Sequence, residues 1–286
     1  TNAKNSSFDY LAMQFRLWKR MGMAVGFLPF STVGYSLSNT SELTKDEDGT
    51  VINKTASYAG DGGLQQVFAG VGFKVLDNLS IGANISYIYG DITHSVTTAF
   101  SNSSSFSSVR LDKISINDYK LDFGLQYSYK FNKKHVLNFG AVYSLGHSVN
   151  GKGYKYNQKW LNGADYPSTQ TGDTITNAFS LPHTFGAGLT YVYDNRLTIG
   201  ADFTYQQWED AKFYNEKSYF SNRTKIAAGA EFVPNPYSRN YLKRVRYRVG
   251  GYYSDPYTKV DGQDGTREYG VSAGFGFPLF QSKSIL

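Results

Sequence analysis

Apolar and polar residues alternate along this chain with a period of two. From Lys120 to Phe131 the odd positions are Leu121, Phe123, Leu125, Tyr127, Tyr129 and Phe131, and the even ones Lys120, Asp122, Gly124, Gln126, Ser128 and Lys130. Successive side chains of a strand point to opposite faces, so this pattern predicts a strand with one apolar and one polar face. After a turn at Asn132–Lys134 the alternation resumes, with Leu137, Phe139, Ala141, Tyr143 and Leu145 on one side and Asn138, Gly140, Ser144 and Gly146 on the other. The same unit recurs at Val67–Val75 followed by Leu79–Tyr89, and at Phe185–Tyr193 followed by Leu197–Tyr205. The strands run to roughly 10–16 residues, longer than the usual five or six of soluble proteins and suited to a tilted membrane crossing.

Connections alternate in length. Short turns are expected at Lys19–Arg20, Asp77–Asn78, Asn132–Lys134, Asp194–Asn195, Pro234–Asn240 and Gln281–Ser284, and long polar loops near Asn39–Thr55, Asp91–Phe106, Asn150–Thr176, Gln207–Ser218 and Ser254–Arg267. Short turns on one side and long loops on the other mark an outer-membrane barrel, with the turns periplasmic and the loops extracellular. The expected strands are Phe8–Trp18, Gly22–Leu37, Ala59–Leu76, Leu79–Ser95, Ser107–Phe131, His135–Ser148, Leu181–Tyr193, Arg196–Gln206, Phe220–Val233, Tyr241–Tyr253 and Glu268–Phe280. The first of them runs downward, which asks for an upward strand before it, and Ser284–Leu286 opens another that needs completing and a downward partner. Because single-chain barrels of this kind have even strand numbers, the expectation is an all-β, antiparallel up-and-down transmembrane barrel of about 14 strands, of which about 11 are present. Residues 1–286 then form a single barrel domain lacking pieces at both ends.

Composition narrows the class. Aromatics make up 16% of the 286 residues and charged residues 18%, with 29 glycines. Many aromatics and few charges suit a wall whose rims lie at a membrane interface. No run approaches the roughly 18 apolar residues of a membrane helix. A mean hydropathy of −0.41 is compatible with a membrane wall, since only every second residue meets lipid. Without cysteine there is no disulfide, thiolate metal site or thiol catalysis. The net charge of +6 implies no nucleic-acid partner, because the basic residues form no aromatic-studded binding surface. The expected surroundings are the lipid bilayer and lipopolysaccharide of a Gram-negative outer membrane.

Three stretches, MAVGFLPFSTVGY (23–35), GGLQQVFAGVGFKVLDNLSIGANISYIYG (62–90) and Tyr241–Leu279 with its RYRVGGYYSDPY and EYGVSAGFGFPL, resemble the FadL/TodX family of outer-membrane hydrophobic-substrate transporters. The resemblance spans nearly the whole chain. It implies passive uptake of hydrophobic small molecules such as long-chain fatty acids, held in the lumen and released sideways through a break in the third strand. It also implies an N-terminal hatch, which none of these residues matches. Gly22–Leu37 is the third strand once a missing first one is allowed for, and it contains Pro29, Phe30, Ser31 and Gly34. Proline removes a ladder donor and is hard to place inside a sheet, so the break is either a simple bulge or the lateral exit.

Candidate chemistry is sparse. Arg244, Arg246 and Arg248 alternate with Val245, Tyr247 and Val249, which places three guanidiniums on the lumen face, near Lys225, Glu231 and Glu268 on neighbouring strands. Such a set can hold a carboxylate or sulfonate headgroup, or serve as an ion-pair network filling the lumen, and the second reading weighs more. The four histidines are scattered, and His147 and Ser148, adjacent on a strand, point to opposite faces, so no enzyme is expected. Lys45–Gly49 lacks the later ligands of a calcium loop, and no cofactor motif is present. The alternative function is a protein-binding barrel subunit of an envelope complex.

Overall fold

The computed structural model describes residues 9–45, 48–162, 167–176, 179–213, 217, 219–260 and 262–278. Its strands are β1 (Leu11–Trp18), β2 (Met21–Lys45), β3 (Val51–Lys74), β4 (Leu79–Phe100), β5 (Phe106–Lys130), β6 (His135–Ser144), β7 (His147–Val149), β8 (Gly151–Leu161), β9 (Pro167–Thr176), β10 (Phe179–Leu181), β11 (Thr184–Tyr193), β12 (Leu197–Gln206), β13 (Arg223–Phe232), β14 (Arg246–Ser254), β15 (Lys259–Val260), β16 (Gln263–Asp264) and β17 (Glu268–Gly276). One antiparallel sheet runs β1-β2-β3-β4-β5-β6-β11-β12-β13-β14-β17, and β8 and β9 extend it from the upper part of β5. The eleven strands of that path are the eleven expected from the alternation. Among the described residues β1 and β17 do not pair with each other.

The strands β6, β11, β12 and β13 are each 10 residues long. At about 3.4 Å per residue and a tilt near 45°, ten residues rise about 24 Å, the height of the apolar band of an outer-membrane barrel. The odd-numbered face of this band is exposed and apolar, through Ile81, Ile85, Phe123, Leu125, Phe139, Leu189, Ile199 and Val249. Aromatics rim it at both ends. Tyr87, Tyr119, Phe185, Tyr253 and Tyr269 lie toward the long-strand end; Trp18, Tyr127, Tyr129, Phe131 and Phe275 lie toward the short turns. Amphipathic rings favour the two membrane–water interfaces, so the two girdles bracket the span.

Three of the expected loops are largely strand. The wall continues as a ladder through Lys45↔Val51, Lys54↔Phe100 and the β8–β9 hairpin. Above the membrane both faces meet water, so the apolar half of the alternation disappears while the backbone pairing persists. Hydroxyl pairs such as Ser38–Ser57 and Thr40–Thr55, at 3.1 and 3.0 Å, replace apolar contacts there. In the other direction, Tyr241–Arg244, expected in a strand, forms a 3₁₀ turn. The Gln281–Ser284 turn and the start of a strand at Ser284 lie outside the described residues. The Asp194–Asn195 turn is as expected: both residues have positive φ, 50° and 53°, and Arg196 N closes the turn on Tyr193 O at 2.8 Å.

The parity assignment has a stability consequence. An Arg in place of Leu125, Phe139, Ala201 or Val249 is expected to destabilise the barrel by about 2–4 kcal/mol near the bilayer midplane, whereas Thr190→Asn and Thr204→Asn, on the other face, cost little. Urea titrations of vesicle-folded protein measure both sets, and equal costs would refute the facing.

Candidate functional site

The lumen divides into two zones. Toward the short turns a cavity of about 660 Å³ brings together the polar side chains Ser80, Gln126, Asn138, Thr190, Asp202 and Thr204 with glycines and apolar residues such as Val142. Toward the long-strand end, Leu64, Ile88, Ile114, Ile116, Val149 and Leu181 form a buried apolar cluster. These residues come from β3, β4, β5, β7 and β10, so the wall curls around them. Leu64, Ile88, Ile114 and Ile116 are on the inward parity of the wall, where a water-filled pore would be polar, and Val149 and Leu181 come from the separate β7–β10 pair.

The wall is interrupted in two places beside this cluster. The first is in β2. Pro29 pairs with Gln65 and Ser31 with Leu64, which leaves Phe30 as a one-residue bulge. Proline cannot donate to the ladder, and a bulge accommodates it. Phe30 packs against the apolar cluster. Beyond it the pairing with β3 is regular through Gly34↔Asp61, and Ser31 Oγ is buried without a hydrogen-bond partner. The neighbouring strands bend nearby: Gly62 and Gly90 have φ of 107° and 142°, and a Cβ at either would lie within 2.3 Å of a backbone oxygen of the next strand. Only glycine fits these positions.

The second interruption was not expected from the sequence. β5 pairs with β6 from Asp122 to Lys130 and with β8 from Phe106 to Ile116. Between them the facing chain leaves the wall. β7 pairs instead with β10, and Val149 and Leu181 join the apolar cluster. The ladder closes below at Leu145 N→Leu121 O and above at Asn117 N→Asn150 O. In the gap, the Asp118 carboxylate accepts hydrogen bonds from the N–H of Tyr119 at 2.7 Å and of Asn150 at 2.6 Å. One side chain thus replaces missing rungs, as an unpaired buried N–H demands. His147 stacks on Tyr119 with centroids 4.6 Å apart, its Nε2 3.4 Å from Asp118 Oδ2. Both nitrogens of His147 are buried without a hydrogen-bond partner. The sequence signal was present but mute: Leu145–Gly146 and Pro182–His183 end the alternation on two strands at once.

The arginine ladder is divided. Arg246 Nη1 and Arg248 Nε both bind Glu231, at 2.5 and 2.7 Å. Arg244 belongs to the 3₁₀ turn and lies over the Tyr241 ring at 5.4 Å. Glu268 and Lys225 sit at the other end of the barrel: Glu268 is 3.8 Å from Arg223, and Lys225 lies over Tyr252. The six residues are therefore split between the two ends: Arg246 and Arg248 pair with Glu231, Glu268 pairs with Arg223, and Arg244 and Lys225 lie over tyrosine rings, so they do not form one headgroup site. The other histidines each meet a tyrosine, with Tyr35, Tyr191 and Tyr143 hydroxyls 2.6–2.9 Å from Nδ1 of His94, His135 and His183. Ser148 contacts Ser180 and not His147. Among the described residues no cluster of three potential metal ligands occurs. Above the outer girdle, Asp91 is held below the usual carboxylate range by hydrogen bonds from Ser115 and Lys113. That contribution is present above the ordinary carboxylate pKa and fades as pH falls through the lower folded value.

An amphipathic antiparallel wall with two aromatic girdles and a curled lumen is a transmembrane β-barrel. Solved barrels share its architecture: a monoaromatic hydrocarbon channel CymD (11% identity, TM-score 0.57, covering 95% of this chain and 74% of that one), the toluene transporter TodX of Pseudomonas putida (14%, 0.57, 95% and 73%) and a FadL homologue of Pseudomonas aeruginosa (15%, 0.59, 96% and 66%). The resemblance to FadL and TodX proteins thus holds at the level of the fold. The chain belongs to the BamG family, whose model matches residues 1–286. Among curated proteins no sequence matches.

Asp118 is the residue on which the β5 gap depends. Asp118→Ala should raise amide hydrogen exchange at Tyr119 and Asn150 and leave the rungs at Asp122–Lys130 protected. Unchanged exchange at both would show that its hydrogen bonds are dispensable. For Glu231 and Arg246, partly exposed, a double-mutant cycle should give a coupling of about 1 kcal/mol.

Proposed function

We propose that this protein is an outer-membrane channel for passive uptake of small hydrophobic molecules, entering from the long-strand side and released sideways into the bilayer. The observation that carries the reading is the inward-facing apolar cluster around Ile88 and Ile114, flanked by two wall interruptions. An apolar lumen offers little to ions or sugars and lowers the free energy of a hydrocarbon guest by burying its surface. The structural neighbours named as toluene transporters and a monoaromatic hydrocarbon channel accord with it. Aromatic hydrocarbons fall, with the long-chain fatty acids that the sequence resemblance implies, in the class of small hydrophobic molecules. The lateral step uses a break at Phe30 or between Tyr119 and His147. Backbone groups in lipid must be satisfied, and at both breaks a bulge or a carboxylate meets that demand. No energy source is implied.

A second reading is favoured by the packing. The cluster residues are only 1–8% exposed, so the outer lumen is filled with side chains. A filled lumen suits a barrel that holds other envelope proteins.

Uptake decides between them. Purified full chain in liposomes should accelerate entry of a hydrophobic fluorophore such as N-phenylnaphthylamine. Cysteine pairs at Tyr119/His147 and at Pro29/Gln65, joined by a short thiol cross-linker, test the two breaks one at a time; no native cysteine interferes. Closing the active break should return entry to the protein-free rate. Entry no faster than in empty liposomes, or unaffected by both cross-links, would abandon lateral uptake for the partner-holding reading.

A further inference from the structure

Charge is distributed unevenly over this barrel. The five described short turns, 19–20, 75–78, 131–134, 194–196 and 233–245, contain eight Lys and Arg and two Asp, an excess of six that equals the net charge of the whole chain. Elsewhere 21 basic residues face 21 acidic ones. The described short turns are thus strongly cationic. One of the two acids, Asp77, is shared by Arg20 at 3.6 Å and Lys74 at 3.5 Å. Lys133, Lys134, Arg196, Arg239 and Lys243 are exposed and form no ion pair among the described residues.

The largest of these turns is built as a platform. Asn235 and Asn240 cap its backbone, accepting from the N–H of Tyr237 and of Leu242, both at 3.0 Å. Asn235 N donates to Lys243 O at 2.8 Å, and Val233 N reaches across to Arg196 O of the neighbouring turn at 2.7 Å. On it stand Tyr237, 89% exposed, and Leu242, 66% exposed, in the same turn as Arg239 and Lys243. An exposed Tyr set among cations on a fixed backbone is the composition of a protein-binding hot spot.

Anionic lipid headgroups are the competing occupant, and side-chain parity argues against them. At this end the lipid-facing positions are aromatic: Tyr127, Tyr129, Phe131 and Phe275. The strand-borne cations Lys74, Lys130, Arg246 and Arg248 are on the opposite parity, toward the lumen. The remaining cations sit in the turns, beyond the ends of the strands.

We propose that the short-turn face is a docking surface for an acidic protein, anchored at Tyr237 and steered by the turn cations. Charge of one sign on a rim raises the association rate and makes binding salt-sensitive.

The full chain in nanodiscs of phosphatidylcholine, and in nanodiscs with about 30% phosphatidylglycerol, tests this against the lipid alternative. The probe is a fluorescein-labelled poly-glutamate peptide read by anisotropy. Binding should weaken with salt, and it should fall about tenfold in the variant Lys133→Gln, Lys134→Gln, Arg239→Gln, Lys243→Gln. It should be the same in both discs. Heat-modifiable gel migration shows whether the variant is folded. A photoreactive residue at position 237 in intact cells should yield an adduct with an acidic protein, lost in the charge variant. No peptide binding, binding abolished by phosphatidylglycerol, or adducts with lipid alone would each overturn the proposal.

Discussion

Inside a bilayer every backbone N–H and C=O must find a partner within the protein, since no water is there to supply one. The rest of this structure follows from that demand. It selects a continuous antiparallel ladder for the eleven main strands. The ladder forces alternate side chains to opposite faces, and the alternation gives the sequence its period of two. Where the ladder is interrupted, a local substitute appears. Phe30 is accommodated as a bulge beside Pro29, and the Asp118 carboxylate takes two amides that have lost their strand partner. Both departures lie toward the outer aromatic girdle, where the demand begins to relax.

Legibility followed the same boundary. Within the membrane band one face meets hydrocarbon and the other does not, so Leu121–Phe131 or Leu197–Tyr205 could be assigned by parity alone. Above the band both faces are wet. The polar stretches Asn39–Thr55 and Asp91–Phe106 therefore read as loops although they are mostly paired strand. The β5 gap was hidden for another reason: it arises from which strand β7 pairs with, and a tertiary choice of partner leaves no period in the sequence. The arginine ladder shows the limit of parity itself. Arg246 and Arg248 are neighbours on one face, as the alternation implied, but Arg244 had already left the strand for a 3₁₀ turn.

The two ends of the molecule carry different physics. At the long-strand end the lumen is apolar and the strands reach far above the membrane, which suits capture of a guest that water rejects. At the short-turn end polar side chains such as Gln126, Asn138 and Thr190 enter the cavity and the turns are cationic. The proposed uptake and the proposed docking would draw on separate residues.

One feature of the register bears on how such a barrel changes over generations. Ser144, the last residue of β6, pairs with Thr184, the first of β11, so the 39 residues between them leave and re-enter the wall at adjacent points. Among the described residues they build the β7–β10 pair and the β8–β9 hairpin, and β8 is tied to β5 from Phe106 to Ile116. The β6–β11 register below is set by its own ten pairs, from Ser144↔Thr184 to His135↔Tyr193. The crown above the bilayer therefore shares β5 with the wall beneath it, and a change in β8 must preserve that pairing while the loop ends that meet at Ser144 and Thr184 need not change.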